Sequence, residues 1–176
     1  MLTKNRHKNS MKQWSRSVLV AYLLFVLWLV LFRFSSHILI VLTQHQSTSL
    51  NLVPFAHNRL REMVDNFVFF VPLGLLLGLS YKAASFKRKL AFVFFVSLFA
   101  EITQYVLAIG MADITDVIMN TLGGLVGLAT YDVLYKRPFM KSEKLDLAID
   151  ILITVSFAVL LVAFLYFRMF VLKVKY

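Results

Sequence analysis

The sequence predicts an all-α polytopic membrane protein, with about five transmembrane helices in one bundle. Of the 176 residues, 60% are apolar and 16% are charged, whereas soluble domains are typically about 45–50% apolar and about 25% charged. Apolar runs of about 20 residues, the length that crosses a bilayer as a helix, recur along the chain. Lys and Arg gather between these runs and give a net charge of +10. In a soluble protein this charge would suggest nucleic acid, but here it indicates loops that face anionic lipid.

The first predicted span begins near Ser17 and follows a basic cytoplasmic tail, residues 1–16. It either ends near Phe34 and is followed by an interfacial segment, which we favour, or continues as one long tilted helix to Leu42. The apolar run is too long for a secretory signal, and no small-residue cleavage site follows it. We therefore expect an uncleaved membrane anchor.

Four further spans are predicted, so that the bundle occupies residues 17–172 and a short tail follows at 173–176. Pro72 lies inside the second span, where proline is tolerated and usually kinks the helix. Glycines four residues apart in the second and fourth spans predict faces on which helices pack closely. The four spans cover residues 67–81, 90–109, 114–135 and 147–167.

The distribution of Lys and Arg predicts the orientation of the bundle. Thirteen of them lie before the first span or in the loops after the second and fourth spans, against five on the other side. Because the more basic loops face the cytoplasm, we expect a cytoplasmic N-terminus and an extracytoplasmic C-terminus. In this orientation nearly all polar residues of the spans fall in the outer half of the membrane.

Polar residues near the outer ends of the spans form the candidate site, and Glu101 is the strongest of them. It lies about 12 Å below the outer end of the third span at 1.5 Å per residue, too deep to cap a helix. A charge within a span costs about 2.5–3.5 kcal/mol on insertion scales. Either Glu101 forms a buried pair with Arg33, or its carboxylate performs acid–base work or binds a cation. The candidates are Arg33, Asn66, Glu101, Gln104, Asp113, Asp116 and Asn120.

Two of these candidates also suit the start of a helix. Asp113 precedes the fourth span at a natural N-cap position, and Asp116 follows three residues later, as the second member of a capping box does. Asp116 and Asn120 lie one turn apart on one face, which capping does not require. Helix capping therefore explains Asp113 better than Asp116.

No cofactor is predicted. Cysteine is absent, so the chain has neither a disulfide framework nor a thiol nucleophile, and the four His residues lack metal-ligand spacing. Carboxylates remain as oxygen ligands for a divalent cation, so a metal site stays open. We expect membrane lipids as partners and no nucleic acid.

Four motifs occur in an order that resembles the VanZ-like family of bacterial membrane proteins, with a core at about residues 51–135. The motifs are NLVPF at 51–55, DNFVFFVPLG at 65–74, SLFAEITQ at 97–104 and DITDVIMNTLGGLVG at 113–127. The polar positions that recur in the family map onto Asn66, Glu101, Gln104, Asp113, Asp116 and Asn120. The chain departs from the family pattern at Thr115, where Asp is frequent, and at Gly110 and Met111, where many members carry Arg.

The resemblance implies an integral membrane protein linked to glycopeptide resistance, chiefly to teicoplanin. Teicoplanin-type drugs carry an acyl chain that anchors at the bilayer, near their lipid-linked target. One hypothesis is therefore a non-enzymatic protein whose outward-facing polar site binds a lipoglycopeptide, a lipid or a lipid-linked cell-wall precursor. The alternative is a membrane-embedded enzyme that modifies a lipid or envelope headgroup with Glu101, Asp113 and Asp116. No Ser, His and Asp pattern is visible, which favours the first hypothesis.

Overall fold

The predicted fold class is confirmed by the computed structural model, in which the chain folds into a bundle of long helices. The structure describes residues 2–32, 49–56, 60–108, 111–136, 147–148 and 151–158. In chain order its elements are α1 (Leu2–Phe32), β1 (Ser49–Asn51), α2 (Leu60–Ser80), α3 (Phe86–Val106), β2 (Met111–Asp113) and α4 (Ile114–Lys136).

Four helices in the described part are long and apolar enough to cross a membrane: 19 residues of α1 from Gln13 to Leu31, all of α2 and α3, and α4 as far as Tyr135. The fifth predicted span starts among helical residues at 147–148 and 151–158, and its remainder lies outside the described residues. The same holds for the segment after the first span, residues 33–48, and so for the choice between an end near Phe34 and an end at Leu42.

The helix α1 starts at Leu2, so the basic segment before Ser17 is helical and continues into the first span without a break. The reason is local. Residues 2–32 contain neither Pro nor Gly, and Lys, Arg, Gln and Met are good helix formers. The helix therefore extends about 15 residues before the apolar run begins at Ser17.

Two span boundaries also differ from the sequence prediction. The helix α2 begins at Leu60, seven residues early, and its polar first turns include an exposed Arg61–Asp65 pair at 3.9 Å. The helix α3 ends at Val106 rather than at residue 109. Glu101 is therefore about 7.5 Å from the end of its helix, not about 12 Å.

Among the described helices, α2 and α4 approach each other most closely, and glycines make this approach possible. A Cβ atom on Gly123 would overlap the carbonyl oxygen of Phe67, and one on Gly127 would overlap that of Val71. Contacts advance along both helices in the same direction, so α2 and α4 run parallel. The sequence predicted such packing faces without identifying the partner, since small residues show only that some backbone comes close.

The helix α1 packs against this pair and completes the core. The buried Tyr22 hydroxyl donates to the carbonyl oxygen of Phe69 at 2.9 Å, one residue beyond the carbonyl that Pro72 leaves without its helical N–H. At the C-terminal end of α2, the Ser80 hydroxyl donates to the Ser15 carbonyl oxygen at 3.2 Å. Phe157 from the last described helical segment packs edge-on against Tyr22 at 5.6 Å.

A short segment that we call the strap, residues 49–56, lies across one end of the bundle. Its strand β1 pairs in parallel with β2, and Asn51 is the register partner of Asp113. The strap thereby joins the entrance of α2 to the entrance of α4. We call this the strap end, and the opposite end of the bundle the basic end.

Candidate functional site

Glu101 lies on the buried stripe of α3, directly beneath the strap end. Its side chain is 4% exposed, and neighbours on the same stripe include Ser97 and Gln104, one turn away in either direction. Its Oε2 accepts a hydrogen bond from the backbone N–H of Asp113 at 2.9 Å. A side chain of α3 is therefore hydrogen-bonded to Asp113, the residue directly before α4.

Asp113 caps α4, as the sequence favoured. Its Oδ1 accepts from the N–H of Thr115, the second residue of the helix, at 2.8 Å, which is the bond that an N-cap makes. In a capping box, the residue at Asp116 would accept the N–H of Asp113. Here Glu101 accepts that hydrogen bond from a different helix. The expectation that Glu101 lies too deep to take part in capping is therefore wrong, because a neighbouring helix begins at its depth.

The strap is fastened to this cap by side chains. Asn51 Nδ2 donates to Asp113 Oδ2 at 3.0 Å, and its own Oδ1 accepts from the N–H of Val53 at 3.1 Å. The N–H of Phe55 donates to the Thr115 hydroxyl oxygen at 3.0 Å. Both carboxylate oxygens of Asp113 are thus engaged, one in the cap and one in holding the strap.

The fastened strap places Phe55 in the left-handed region, with φ of 59°. A bulky residue rarely adopts this conformation, which costs on the order of 1–3 kcal/mol. Around it, the apolar side chains of Leu50, Leu52, Val53 and Phe55 are all more than half exposed. The strap is therefore a strained cover with an apolar outer surface.

Two amides flank Glu101 in the interior. Gln104 Nε2 donates to the carbonyl oxygen of Val30 on α1 at 2.8 Å, and Asn120 Nδ2 donates to the Ser97 hydroxyl at 2.8 Å. Both side chains are almost completely buried, and their carbonyl oxygens accept no hydrogen bond within the described residues. Such atoms are costly to bury without a donor, which makes the interior of the strap end rich in acceptors.

Two other predicted site residues lie near the starts of α4 and α2. Asp116 is buried in the first turn of α4, one turn before Asn120. Asn66 is half-buried on α2, two turns after that helix begins, and no hydrogen bond links it to Glu101 or Asp113 among the described residues. Arg33 lies outside the described residues, and so does its predicted pairing with Glu101.

Sequence reasoning missed three residues of this network: Asn51, Ser97 and Thr115. Asn51 and Ser97 each begin one of the ordered motifs, so the motifs themselves carried a signal. Thr115 drew attention only as a departure from the family pattern, yet its hydroxyl accepts the strap hydrogen bond. A polar residue at this position can hold the strap without carrying a charge.

Within the described residues, no three His, Cys, Asp or Glu side chains are grouped so as to hold a metal ion. The strap end contains three buried carboxylates, those of Glu101, Asp113 and Asp116, together with amide oxygens and backbone groups beneath the strap.

The four long apolar helices of the described part make this chain a polytopic membrane protein. Comparison with known proteins identifies its family. The family model described as VanZ/LLP1 matches residues 19–135, and the chain belongs to this family. The chain is 49% identical over 133 residues to Protein VanZ of Enterococcus faecium, and the match covers 75% of this chain and 81% of that protein. The resemblance seen in the motifs is thereby confirmed. No solved structure matches the chain.

Proposed function

We propose that this protein contributes to resistance to glycopeptide and lipoglycopeptide antibiotics, teicoplanin in particular, by binding a drug, lipid or cell-wall precursor at the strap end. Membership of the VanZ/LLP1 family supports the resistance role. The observation that carries the site is the hydrogen bond between Glu101 and Asp113, which places a buried carboxylate directly beneath the strap.

The proposal includes the predicted orientation, with the strap end on the extracytoplasmic side. Thirteen Lys and Arg residues on the N-terminal side of the membrane, against five on the other, support it. In this orientation the exposed apolar side chains of the strap meet the outer leaflet at the headgroup boundary. An amphiphile that is anchored there reaches the strap from the membrane.

Binding at Glu101 requires the strap to move, because the side chain is buried beneath it. The strained backbone of Phe55 favours such a movement. A disulfide between strap and bundle tests this requirement. Leu50 and Ala112 are register partners in the paired strands, and the chain has no cysteine of its own. Cysteines at both positions are therefore expected to lock the strap when oxidised.

The experiment expresses the chain and its cysteine variants in a teicoplanin-susceptible host and compares minimum inhibitory concentrations. The unmodified chain and each single variant, Leu50→Cys and Ala112→Cys, are expected to raise the inhibitory concentration. The oxidised double variant is expected to be inactive and to recover on mild reduction. Full resistance in a fully oxidised double variant contradicts a site beneath the strap, and no resistance from the unmodified chain contradicts the proposed role.

Analysis of lipids and cell-wall precursors separates this proposal from the enzymatic alternative. A binding protein leaves the chemical composition of the envelope unchanged, whereas an enzyme produces a modified lipid or headgroup in cells that express the chain. The involvement of both Asp113 oxygens in structural hydrogen bonds leaves that residue poorly suited to act as a general base. This is why we place binding first.

A further inference from the structure

The two buried amides of the strap end use their donors within the bundle and keep their acceptors. Gln104 Nε2 is bonded to the carbonyl oxygen of Val30, and Asn120 Nδ2 to the Ser97 hydroxyl. Because a carbonyl only accepts, Val30 fixes the Gln104 amide with its nitrogen toward α1. The amide oxygens of Gln104 and Asn120 accept no hydrogen bond within the described residues, and the two side chains are 1% and 0% exposed. They indicate a hydrogen-bond donor that these residues do not supply.

Buried carboxylates lie between these amides. The hydrogen bonds from Asn120 to Ser97 and from the Asp113 N–H to Glu101 show that α3 and α4 run antiparallel here. Asp116 follows Asp113 and precedes Asn120 on α4, so it lies between the two bonds. It shares the face of Asn120, one turn away, and this face is turned toward α3. Glu101 and Asp116 therefore contribute negative charge to the same part of the interior.

Positive charge is scarce at the strap end. Arg61 is the only Lys or Arg that the described residues place there, and it is 94% exposed and lies 3.9 Å from Asp65. The pairing of Arg33 with Glu101, which the sequence predicts, would neutralise one of three buried carboxylates. Negative charge is therefore in excess among the described buried groups, which attracts a cation and repels a phosphate or a carboxylate.

We propose that the strap end binds a primary ammonium group, with the Glu101 carboxylate as its charged partner and the amide oxygens of Gln104 and Asn120 as further acceptors. An ammonium has three N–H donors and no acceptor, which complements an interior of carboxylates and amide oxygens. The ammonium belongs either to a lipid headgroup or to a soluble amine. This inference rests on the proposed site beneath the strap and names the chemical group that the site receives.

The test uses the purified full chain in a neutral detergent. One arm compares phosphatidylethanolamine with phosphatidylcholine, and the other compares ethanolamine with choline. In each pair the second compound carries the same positive charge on a quaternary nitrogen that has no N–H donor. Thermal unfolding gives the apparent affinity, and native mass spectrometry counts bound lipid.

Three variants at neighbouring positions separate the acceptor from the fold. Gln104→Met removes both the bond to Val30 and the amide oxygen, whereas Gln104→Glu loses the same donor but keeps an acceptor oxygen. Thr103→Val is the matched control in the same turn, because its hydroxyl donates to the Phe99 carbonyl oxygen within α3 at 2.7 Å. A purely structural role of Gln104 affects Gln104→Met and Gln104→Glu alike.

We expect the primary amine of one arm to bind about tenfold more tightly than its quaternary counterpart, equivalent to about 1.4 kcal/mol, and that arm identifies the source. Thr103→Val and Gln104→Glu are expected to keep this preference, and Gln104→Met to lose it. Equal affinity for primary and quaternary compounds overturns the proposal, as does a Gln104→Met variant that keeps the preference. The lack of saturable binding in both arms also overturns it, since water then suffices for the amide oxygens.

The oxidised double variant Leu50→Cys, Ala112→Cys separates failure of this inference from failure of the proposed site. It is expected to lose binding of the primary amine. If phosphatidylglycerol binds instead and the oxidised bridge blocks it, the site beneath the strap stands and the ammonium is wrong. If the primary amine binds equally well with the bridge closed, it lies elsewhere and this inference fails.

Discussion

The substitution Glu101→Gln separates the charge of this side chain from its hydrogen bond. Glutamine keeps an oxygen that accepts the N–H of Asp113, now 2.9 Å from Oε2. A hydrogen bond to a charged group contributes about 1.5–3 kcal/mol and a neutral one about 0.5–1.5 kcal/mol, so the expected loss is about 1 kcal/mol. This value is an upper bound, since the neutral side chain is also less costly to bury.

Glu101→Leu removes the acceptor as well and leaves the Asp113 N–H buried without a partner. The buried N–H then has neither water nor an acceptor, which lowers the free energy of unfolding by a further amount of about 1–3 kcal/mol. For a chain of this size, 1 kcal/mol corresponds to about 2–4 °C in the unfolding midpoint. We therefore expect Glu101→Gln to unfold within about 4 °C of the wild type, and Glu101→Leu to unfold at a clearly lower temperature.

The assay combines thermal unfolding in detergent, the amount of protein in the membrane, and the minimum inhibitory concentration of teicoplanin. If the charge or proton of Glu101 acts on a ligand, Glu101→Gln accumulates normally but confers no resistance. Glu62→Gln is the matched control, because it removes a carboxylate from the first turn of α2 at the same end.

Two results would refute this reasoning. Full resistance from Glu101→Gln at normal abundance would mean that the charge of Glu101 has no part in function. An unfolding temperature for Glu101→Gln as low as that of Glu101→Leu would mean that the charge is needed to hold the helices together, and any loss of resistance would then follow from misfolding.

Three further predictions concern packing, the strap and orientation. Gly127→Ala is expected to destabilise the bundle by about 1–3 kcal/mol or more, because the new Cβ overlaps the backbone oxygen of Val71. An unfolding midpoint equal to that of the wild type would contradict the parallel packing of α2 and α4. Asn51→Ala is expected to cost about 1 kcal/mol and to speed hydrogen exchange in the strap, and unchanged exchange would show that the strand pairing alone holds it. In intact cells, an impermeant thiol reagent is expected to label Leu52→Cys and not Ala83→Cys, whereas the reverse pattern inverts the proposed orientation.

The sequence was sufficient to predict the fold class and the approximate spans, because membrane insertion depends on the length of apolar runs, which composition displays directly. The predicted ends of the spans were less accurate where polar residues continue a helix beyond the hydrocarbon core of the bilayer. The first turns of α2 illustrate this, since Arg61 and Asp65 support one another within the helix and carry no apolar signal.

The candidate site was predictable only in part. Glu101 and Asp113 stand out because a carboxylate in or beside a span is costly, and that cost is visible in the sequence. Their bond to each other depends on where α3 ends and α4 begins, which spacing did not fix. Asn51 is an ordinary polar residue in a loop, and its role arises from a parallel strand pair that connects positions 62 residues apart.

That strand pair determines when the strap end takes shape during synthesis. The strand β1 is made before α2, but its partner β2 emerges only after α3 has been inserted. Until then the Glu101 carboxylate lacks the hydrogen bond from the Asp113 N–H, and β1 has no partner strand. The strap end is therefore assembled in a late step that follows insertion of three helices. A chain that ends before residue 111 lacks both the N–H that bonds to Glu101 and the partner strand of β1.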